Sequence, residues 1–243
     1  MLAILKKIYQ KAKFNSSRLY LEGWLREAAK SLPSEGLVLD AGAGNSPYGS
    51  LFSHARYESA DFCQVNKEYA EVSYVCDLTS IPVEDNKYDL VVCTQVIEHV
   101  SEPKAVLQEL YRVLKPNAEL WLSAPLFYEE HEIPYDYYRY TQFGFKYLLQ
   151  SVGFKLKKIE WLEGYYGTLS YQLETATRNL PLNSKYYGNG LIGVLVVPII
   201  FFLKMIFALS SVIFANLDIR YKNVSNGYCK SYVIIAVKEH HNL

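Results

Sequence analysis

Short apolar runs alternate with helical or polar stretches from Gly36 onward, and this alternation constrains the fold more than any other feature of the chain. Apolar runs of this length are typical of strands. Strands separated by helices predict a parallel sheet with right-handed crossover connections. The sequence therefore predicts an α/β fold, with strands over residues 36–40, 57–61, 73–76, 88–94, 119–123, 154–161 and 231–237.

One predicted helix precedes the fifth strand. Its apolar residues recur at helical spacing, and Lys115-Pro116-Asn117 then provides a basic last turn and a stop signal. A second predicted helix includes residues 145–149. The apolar stripe of the first helix consists of Val106, Leu107, Leu110, Val113 and Leu114.

The charge balance argues against a nucleic-acid partner. The 243 residues carry 25 basic and 25 acidic side chains, so no overall positive field draws the protein to a phosphate backbone. Half of the residues are hydrophobic, which is enough for the core of one large domain.

Cysteine usage and the first residues indicate a cytoplasmic protein. Cys63, Cys76, Cys93 and Cys229 include no pair at the two-residue spacing of a zinc site, so we expect buried, reduced thiols and no metal. Residues 1–7 become basic too early to form the apolar core of a secretory signal.

Two segments suggest appendages to the sheet. Residues 1–30 have apolar residues at helical spacing with lysines and arginines between them, which predicts a helix or helix pair. This segment either caps the sheet or rests as an amphipathic helix on an anionic membrane.

Residues 191–217 form the second appendage, because Lys204 is the only charged residue in this stretch. The length suffices for a bilayer span, but Pro198 and Lys204 near the middle favour a helical hairpin that enters one leaflet. A true span, and a buried cap or dimer surface, are the alternatives. The expected segments are therefore 1–30 (amphipathic), 31–188 (main domain), 189–217 (apolar insertion) and 218–243 (final strand).

A glycine turn follows the first predicted strand. Asp40 ends the strand, and Gly42 and Gly44 allow the backbone to pass close to a ligand because neither has a β-carbon. The turn is not a phosphate-binding loop, since it lacks Gly-Lys-Ser/Thr and has Ser46 where a dinucleotide fingerprint has its third glycine.

Further polar residues follow the next strands. Asp61 ends the second strand 21 residues after Asp40, about where a nucleotide fold places an acid on ribose hydroxyls. Asp77 and Leu78 follow the third strand, and Gln95 follows the fourth. Ligands of open α/β sheets bind at the carboxyl edge, so these residues predict one crevice.

Three further segments follow: residues 81–91, Val96-Ile97-Glu98-His99-Val100 and residues 112–116. Together with the motifs above, they resemble the class I S-adenosylmethionine-dependent methyltransferases over about residues 36–160. The resemblance implies a Rossmann-like, doubly wound, seven-stranded and mostly parallel sheet, here with an apolar helical insertion before the last strand. It also implies S-adenosyl-L-methionine as cofactor, with Asp61 on the ribose, Asp77 and Leu78 around the adenine and Gln95 near the sulfonium. The candidate cofactor-binding residues are Asp40, Gly42, Ala43, Gly44, Asn45, Asp61, Phe62, Asp77, Leu78, Gln95 and Val96.

The segment after the fifth strand, residues 125–141, is both aromatic and polar and should face the methyl acceptor. His131 is the candidate general base, because it takes up a proton near neutral pH. Asp136 could orient His131 or bind a sugar hydroxyl, and Arg139 could hold a phosphate or carboxylate. Alternatively, Tyr138, Arg139 and Thr141 only cap the next helix.

His99 is the fourth catalytic candidate, either acting directly or lining the acceptor pocket. The pattern His131-x-x-Pro134-x-Asp136-Tyr137-x-Arg139-Tyr140-Thr141 resembles an element of methyltransferases in polysaccharide and envelope-glycan pathways.

Three functional hypotheses follow from these features. The first is O-methylation of a saccharide, a lipid-linked glycan or another amphiphilic acceptor at the inner face of the membrane. The second is C-methylation of an isoprenoid quinone ring, and the third is a non-catalytic, membrane-associated partner that retains the fold. The oligomeric state stays open.

Overall fold

The computed structural model describes residues 16–188 and 190–239. Contacts divide the chain into two compact units. The first, called here the sheet unit, comprises Tyr20–Leu162 and Ser231–Leu243; the second, the helical unit, comprises Met1–Leu19 and Glu163–Lys230. The amphipathic pattern over residues 1–15 lies outside the described residues, and helix α1 occupies Ser16–Ser31.

The sheet unit contains one seven-stranded sheet with the strand order β3-β2-β1-β4-β5-β7-β6. Helix α2 (Pro103–Val113) lies between β4 and β5 in the chain, and helix α3 (Gln142–Ser151) lies between β5 and β6. The strands are β1 (Leu37–Ala41), β2 (Arg56–Asp61), β3 (Tyr74–Val75), β4 (Tyr88–Thr94), β5 (Leu114–Pro125), β6 (Phe154–Trp161) and β7 (Ser231–Lys238).

The first five strands are parallel, and only β7 runs antiparallel to its neighbours β5 and β6. This confirms the predicted seven-stranded, mostly parallel sheet. Ala41 pairs with Ala60, and Asp40 pairs with Val92, so β1, β2 and β4 end at the same edge. The loops that follow these three strands therefore start side by side.

The sheet is the core of this unit. Leu39 of β1, Val91 of β4 and Leu122 of β5 are completely buried, as the apolar runs of central parallel strands require. Helix α1 packs Leu25 and Ala28 into the same apolar cluster as Trp121.

One predicted helix end differs from the structure. Leu114 was expected to close the apolar stripe of α2, but it begins β5 and pairs with Tyr88. The ammonium group of Lys238 donates hydrogen bonds to the backbone carbonyls of Tyr111, Arg112 and Leu114. A lysine of β7, which is distant in sequence, thus donates to the free backbone carbonyls at the end of α2.

The helical unit contains α4 (Tyr165–Asn179) and α5 (Leu191–Arg220). The Ser170 hydroxyl donates to the Ser211 carbonyl, and the rings of Tyr166 and Phe214 stack with centroids 5.9 Å apart. Gly164 permits close packing at the start of α4, since a Cβ there would lie 2.5 Å from an oxygen of the buried Asp218. The unit boundaries fall at 163 and 231, whereas the sequence analysis places them at 189 and 218, because α4 joins α5 in one cluster.

The expected helical hairpin over residues 191–217 is wrong, because α5 is one continuous helix of 30 residues with Pro198 inside it. An internal proline removes one backbone hydrogen bond, but it does not reverse the chain. By length and composition α5 is able to cross a membrane: its most apolar window has a mean hydropathy of 2.7, and only 6% of that window is buried.

Arg112 connects α2 to the loop before β4. Its guanidinium donates to the carbonyls of Ile81 and Val83 and to the carboxylates of Glu109 and Asp85. Glu109 in turn accepts the backbone N–H of Ile81. These bonds explain why Arg112 and the 81–85 segment occur together in the sequence pattern.

We expect Arg112→Met to lower the free energy of unfolding by about 2 to 3 kcal/mol, because several backbone and carboxylate acceptors lose a charged donor together. Arg26→Met is the matched control. Its exposed pair with Glu22, four residues away, is worth about 0.5 kcal/mol or less. Chemical denaturation of both variants measures the difference, and equal losses would contradict the role assigned to Arg112.

Candidate active site

Asp61 joins the turns after β1 and β2. One of its carboxylate oxygens accepts the backbone N–H of Gly44 at 2.9 Å, and the other accepts the N–H of Cys63 at 2.9 Å. The side chain is buried and lies at the end of β2. Its position is therefore fixed by backbone donors from both turns.

Gly42 supports close approach of the backbone at the end of β1. Its φ is +83°, and a Cβ there would lie 2.3 Å from a methyl group of Val96. Any side chain would displace Val96, which itself follows β4. The glycine turn is thus required by the packing of two neighbouring loops.

A cavity of about 340 Å³ opens at the carboxyl edge of β1, β2 and β4. This volume is within the range of small-molecule sites. Predicted residues that line it are Gly42, Asp61, Phe62, Asp77, Leu78, Gln95, Val96 and His99. The lining that the sequence analysis did not assign consists of Gln64, Lys67, Thr79, Val100, Ser101, Glu102, Ala105, Glu132, Tyr135 and Tyr137.

Four predicted cofactor residues do not line this cavity: Asp40, Ala43, Gly44 and Asn45. Gly44 acts through the N–H that it donates to Asp61, and Ala43 is buried beneath the turn. Asn45 is exposed. Asp40 accepts the hydroxyl of Tyr57 at 2.6 Å and so belongs to the support of the site.

Burial raises the pKa of Asp40 to about 6, although the hydrogen bond from Tyr57 opposes the shift. The folded protein then binds a proton at Asp40 more tightly than the unfolded chain does. The free energy of unfolding should therefore fall as the pH rises from about 4 to about 6, and stay lowered above pH 6.

The expected fall is about 3 kcal/mol, since each pKa unit corresponds to about 1.4 kcal/mol. Asp40→Asn should remove this part of the pH dependence, because the amide oxygen still accepts from Tyr57 but does not titrate. Denaturation curves of both proteins at several pH values from 4 to 8 measure it. An identical pH dependence would disprove the assignment.

Two lining residues have left-handed backbone conformations that side chains rarely adopt. Gln95 has a φ of 56° and Glu132 has a φ of 52°. Gln95 is held by its N–H to the Ser123 carbonyl and by its side-chain amide to the Ser123 hydroxyl. Such conformations are concentrated at functional sites, where surrounding contacts enforce them.

The structure brings His99 and His131 together. Their Nε2 atoms lie 3.1 Å apart, and the rings contact each other edge to face. The Nδ1 of His99 is bonded to the carbonyl oxygen of Tyr135. Only 9% of the His99 side chain is exposed, and this burial lowers its pKa. His99 lines the cavity, whereas His131, the predicted general base, is not part of its lining.

Arg139, which was predicted to hold a phosphate or carboxylate, has its five N–H donors engaged within its own loop. They go to both oxygens of Asp136 and to the carbonyls of Tyr128, Glu129 and Tyr138. The hydrogen bonds from Arg139 lower the pKa of Asp136 to about 2. Asp136 also accepts the backbone N–H of His131, so this pair shapes the loop around His131.

Thr141 caps α3 as the sequence suggested, since its hydroxyl accepts the N–H of Gly144. The preceding loop is anchored on the 97–99 segment, where the carbonyl of Glu98 accepts the N–H groups of Tyr137 and Tyr138. These contacts place Glu132, Tyr135 and Tyr137 at the cavity. The sequence predicted that this loop as a whole lies at the site. It did not predict which of its side chains line the cavity.

Glu98 is completely buried, and neither of its carboxylate oxygens has a hydrogen-bond partner within residues 16–188 and 190–239. Burial raises its pKa to about 8. No sequence pattern predicted a role in the site for Glu98.

Lys67 and Glu132 form an ion pair of 2.9 Å at the cavity, linking the loop after β2 to the loop after β5. Phe62 and Tyr135 contact each other edge to face at 5.4 Å across the same two loops. In the sequence, Lys67 lies in the loop after a predicted strand. That position was the only sequence signal for its place at the cavity.

The cavity fits the adenosyl cofactor that the sequence implies. Asp61 and Asp77 supply two carboxylates for hydroxyl and amine donors, and Leu78 is an apolar contact for a ring face. Gly42 leaves room where its backbone approaches the ligand. Lys67 and the two carboxylates give the cavity both charge signs, as a zwitterionic ligand requires.

Comparison with known proteins agrees with this description. Residues 39–122 match the family described as Methyltransferase domain. The tRNA (carboxymethyluridine(34)-5-O)-methyltransferase ALKBH8 of Macaca fascicularis is 29% identical over 113 residues, covering 44% of this chain and 17% of that protein. The ubiquinone/menaquinone biosynthesis C-methyltransferase UbiE of Desulfotalea psychrophila is 30% identical over 97 residues, covering 35% of this chain and 39% of that protein. The chain thus spans less than half the length of both relatives.

A solved structure has the same fold. The 1,6-didemethyltoxoflavin-N1-methyltransferase of Burkholderia thailandensis, with bound 1,6-didemethyltoxoflavin and S-adenosylhomocysteine, aligns with a TM-score of 0.53 at 13% identity, over 93% of this chain and 79% of that one. Residues 39–122 thus match a methyltransferase domain, and the sheet order and the cavity at its carboxyl edge agree with the fold of such a domain.

Proposed function

We propose that this protein transfers a methyl group from S-adenosylmethionine to an oxygen of an amphiphilic acceptor, a saccharide or lipid-linked glycan, at the cytoplasmic face of a membrane. The observation that carries the proposal is the position of the His99–His131 pair. It adjoins a cavity that also contains Asp61 and Asp77. Donor-binding acids and a titratable pair therefore meet at one site.

On the donor side, Asp61 is preorganised by Gly44 and Cys63 to accept ribose hydroxyls. Asp77 holds Thr79 through one carboxylate oxygen and leaves its other oxygen for the adenine amine. The bound cofactor supplies an electrophilic methyl group on a sulfonium. The chain has to align the acceptor with that group and exclude water.

On the acceptor side, the 125–141 loop covers the cavity with Tyr135 and Tyr137. Tyrosine rings pack against sugar faces and donate hydrogen bonds. His99 lines the cavity and its Nε2 contacts the Nε2 of His131, so a pair of titratable side chains adjoins the place where the acceptor hydroxyl would lie. The resemblance of this loop to envelope-glycan methyltransferases favours a saccharide.

We expect Asp61→Asn to weaken S-adenosylmethionine binding by at least about tenfold, because the ribose loses a charged acceptor worth about 1.5 kcal/mol or more. Glu27→Gln is the control, because it neutralises an exposed acid on α1 that pairs with Lys30. Isothermal titration of the full chain measures both. Absence of heat with wild-type protein at millimolar cofactor would disprove the methyl-donor assignment.

Transfer itself is tested with radiolabelled S-adenosylmethionine and extracted membrane glycolipids. Label should appear in a glycolipid fraction, and mass spectrometry should find one added methyl group on an oxygen. Label confined to a quinone fraction would support the second candidate, C-methylation of an isoprenoid quinone ring. That candidate is favoured by the local similarity to UbiE.

The membrane part of the proposal rests on α5. Its apolar side chains are exposed around the helix, and a helix that is apolar on all sides is typical of lipid or a protein core. Lys204 donates its ammonium hydrogen to the Leu180 carbonyl, which partly compensates its charge in an apolar environment. Exposed side chains include Leu191, Ile192, Val194, Leu195, Ile199, Phe202, Ile206, Leu209 and Ile213.

We expect the full chain to float with phosphatidylethanolamine–phosphatidylglycerol vesicles, and Phe202→Asp to reduce the bound fraction strongly. An aspartate near the centre of an inserted helix costs about 3 kcal/mol, or about a hundredfold in partitioning. Phe143→Asp is the control, because Phe143 is as exposed as Phe202 (74% against 71%) but lies on α3. Equal flotation of both variants would exclude α5 as the membrane contact.

A further inference from the structure

The Nδ1 atoms of His99 and His131 determine what their Nε2 atoms can do. The His99 Nδ1 is bonded to the Tyr135 carbonyl, and the His131 Nδ1 lies 3.1 Å from the Glu129 carbonyl and 3.4 Å from a carboxylate oxygen of Asp136. These oxygens only accept hydrogen bonds, so both Nδ1 atoms carry the proton. In the neutral rings, both Nε2 atoms then present lone pairs.

Those two lone pairs face each other, because the Nε2 atoms are 3.1 Å apart. Two nitrogen lone pairs at this distance repel unless a cation lies between them. Two imidazole nitrogens bound to one tetrahedral zinc ion at about 2.0 to 2.1 Å lie about 3.3 Å from each other. The observed separation is close to that value.

Glu98 independently points to the same ligand. Its carboxylate is completely buried with no hydrogen-bond partner on either oxygen among the described residues, and one oxygen lies 3.8 Å from the His99 Nε2. One ligand atom from each of Glu98, His99 and His131 can be chosen so that all three lie within 4.8 Å of one another. A buried carboxylate of this kind requires a cation or a proton.

We propose that Glu98, His99 and His131 bind a divalent transition-metal ion, with Zn²⁺ the best match to two imidazoles and one carboxylate. Mg²⁺ prefers oxygen ligands, whereas three protein ligands of this type bind zinc and leave a fourth position open. Cysteine spacing predicts no metal site in this chain, but the proposed ligands are two histidines and a glutamate.

The surrounding contacts are those of a metal site. Ligating histidines generally donate their second ring N–H to a carbonyl or carboxylate, which fixes the tautomer and the ring orientation. The Tyr135 carbonyl does this for His99, and the Glu129 carbonyl and Asp136 do it for His131. Asp136 is itself held by Arg139, which gives these two residues a positioning role.

His99 also lines the cofactor cavity, so the open coordination position would face the reacting groups. If the proposed function holds, the ion would bind the acceptor oxygen and lower the pKa of its hydroxyl, so that the hydroxyl would release its proton to water while His99 and His131 act as ligands. The metal site itself does not depend on that role.

The test uses the untagged full chain after treatment with a chelator, titrated with Zn²⁺ alone and with Co²⁺ alone in the absence of S-adenosylmethionine. We expect one ion per chain, a visible Co²⁺ spectrum that Zn²⁺ abolishes, and no response to Mg²⁺. His131→Ala and Glu98→Gln should bind at least about a hundredfold more weakly, since even changes behind a ligand cost 10- to 100-fold.

His54→Ala is the matched control. His54 is in the sheet unit and contacts the Leu32 carbonyl, so its loss should leave metal affinity unchanged. No uptake of either ion by wild-type protein would show that the pair shares a proton and would overturn the proposal. Affinities of His131→Ala and Glu98→Gln equal to wild type would overturn it as well.

X-ray absorption of the zinc-loaded wild-type protein gives an answer that needs no variant. Two imidazole nitrogens and oxygen at about 2.0 to 2.2 Å are expected; a spectrum without imidazole scattering would contradict the site. Cofactor binding is measured separately. Zinc uptake without S-adenosylmethionine binding would therefore disprove the proposed function and leave the metal site intact.

Discussion

Asp61 accepts hydrogen bonds from the backbone N–H groups of Gly44 and Cys63, and these two bonds join the turns after β1 and β2. Both turns depend on β1 and β2 being parallel and in register, so that Ala41 and Ala60 end side by side. If the carboxylate moved, Gly44 would lose this restraint, and the part of the cavity wall that Asp61 forms would change. The cofactor site therefore rests on this contact.

The second wall depends on a different set of interactions. The loop after β5 is folded by Arg139, whose donors are all engaged by Asp136 and by three backbone carbonyls. Because the guanidinium is used internally, it shapes the loop and leaves recognition of the acceptor to other groups. Its contacts place His131 against His99, which joins the loop chemistry to the end of β4.

The two units have different physical characters. The sheet unit buries its apolar strands between helices, and its polar groups converge at one edge. The helical unit contains α5, which packs one side against α4 and exposes many of its apolar side chains. The polar cavity and the exposed apolar helix are the two features on which the proposed function rests.

The sequence by itself determined the strands, the glycine turn and the acids Asp61 and Asp77, because these follow from local apolar periodicity and from the position of residues at strand ends. It also predicted that the 125–141 loop lies at the site, and Glu132, Tyr135 and Tyr137 of that loop line the cavity. Sequence patterns did not determine that α5 is a single helix, because a proline and a lysine within an apolar run are compatible with a hairpin or a helix.

Only the tertiary structure decided the pairing of His99 with His131, the isolation of the Glu98 carboxylate and the engagement of every Arg139 donor. These features join residues that are 32 or more positions apart, or depend on which partner a side chain finds in a folded loop. Periodicity reports the local conformation of the backbone, whereas a shared hydrogen bond or ligand geometry requires two separate segments at a fixed distance. That distance is set by the packing of the sheet and its loops. It decides whether a histidine in a sequence motif contacts the other residues of a site.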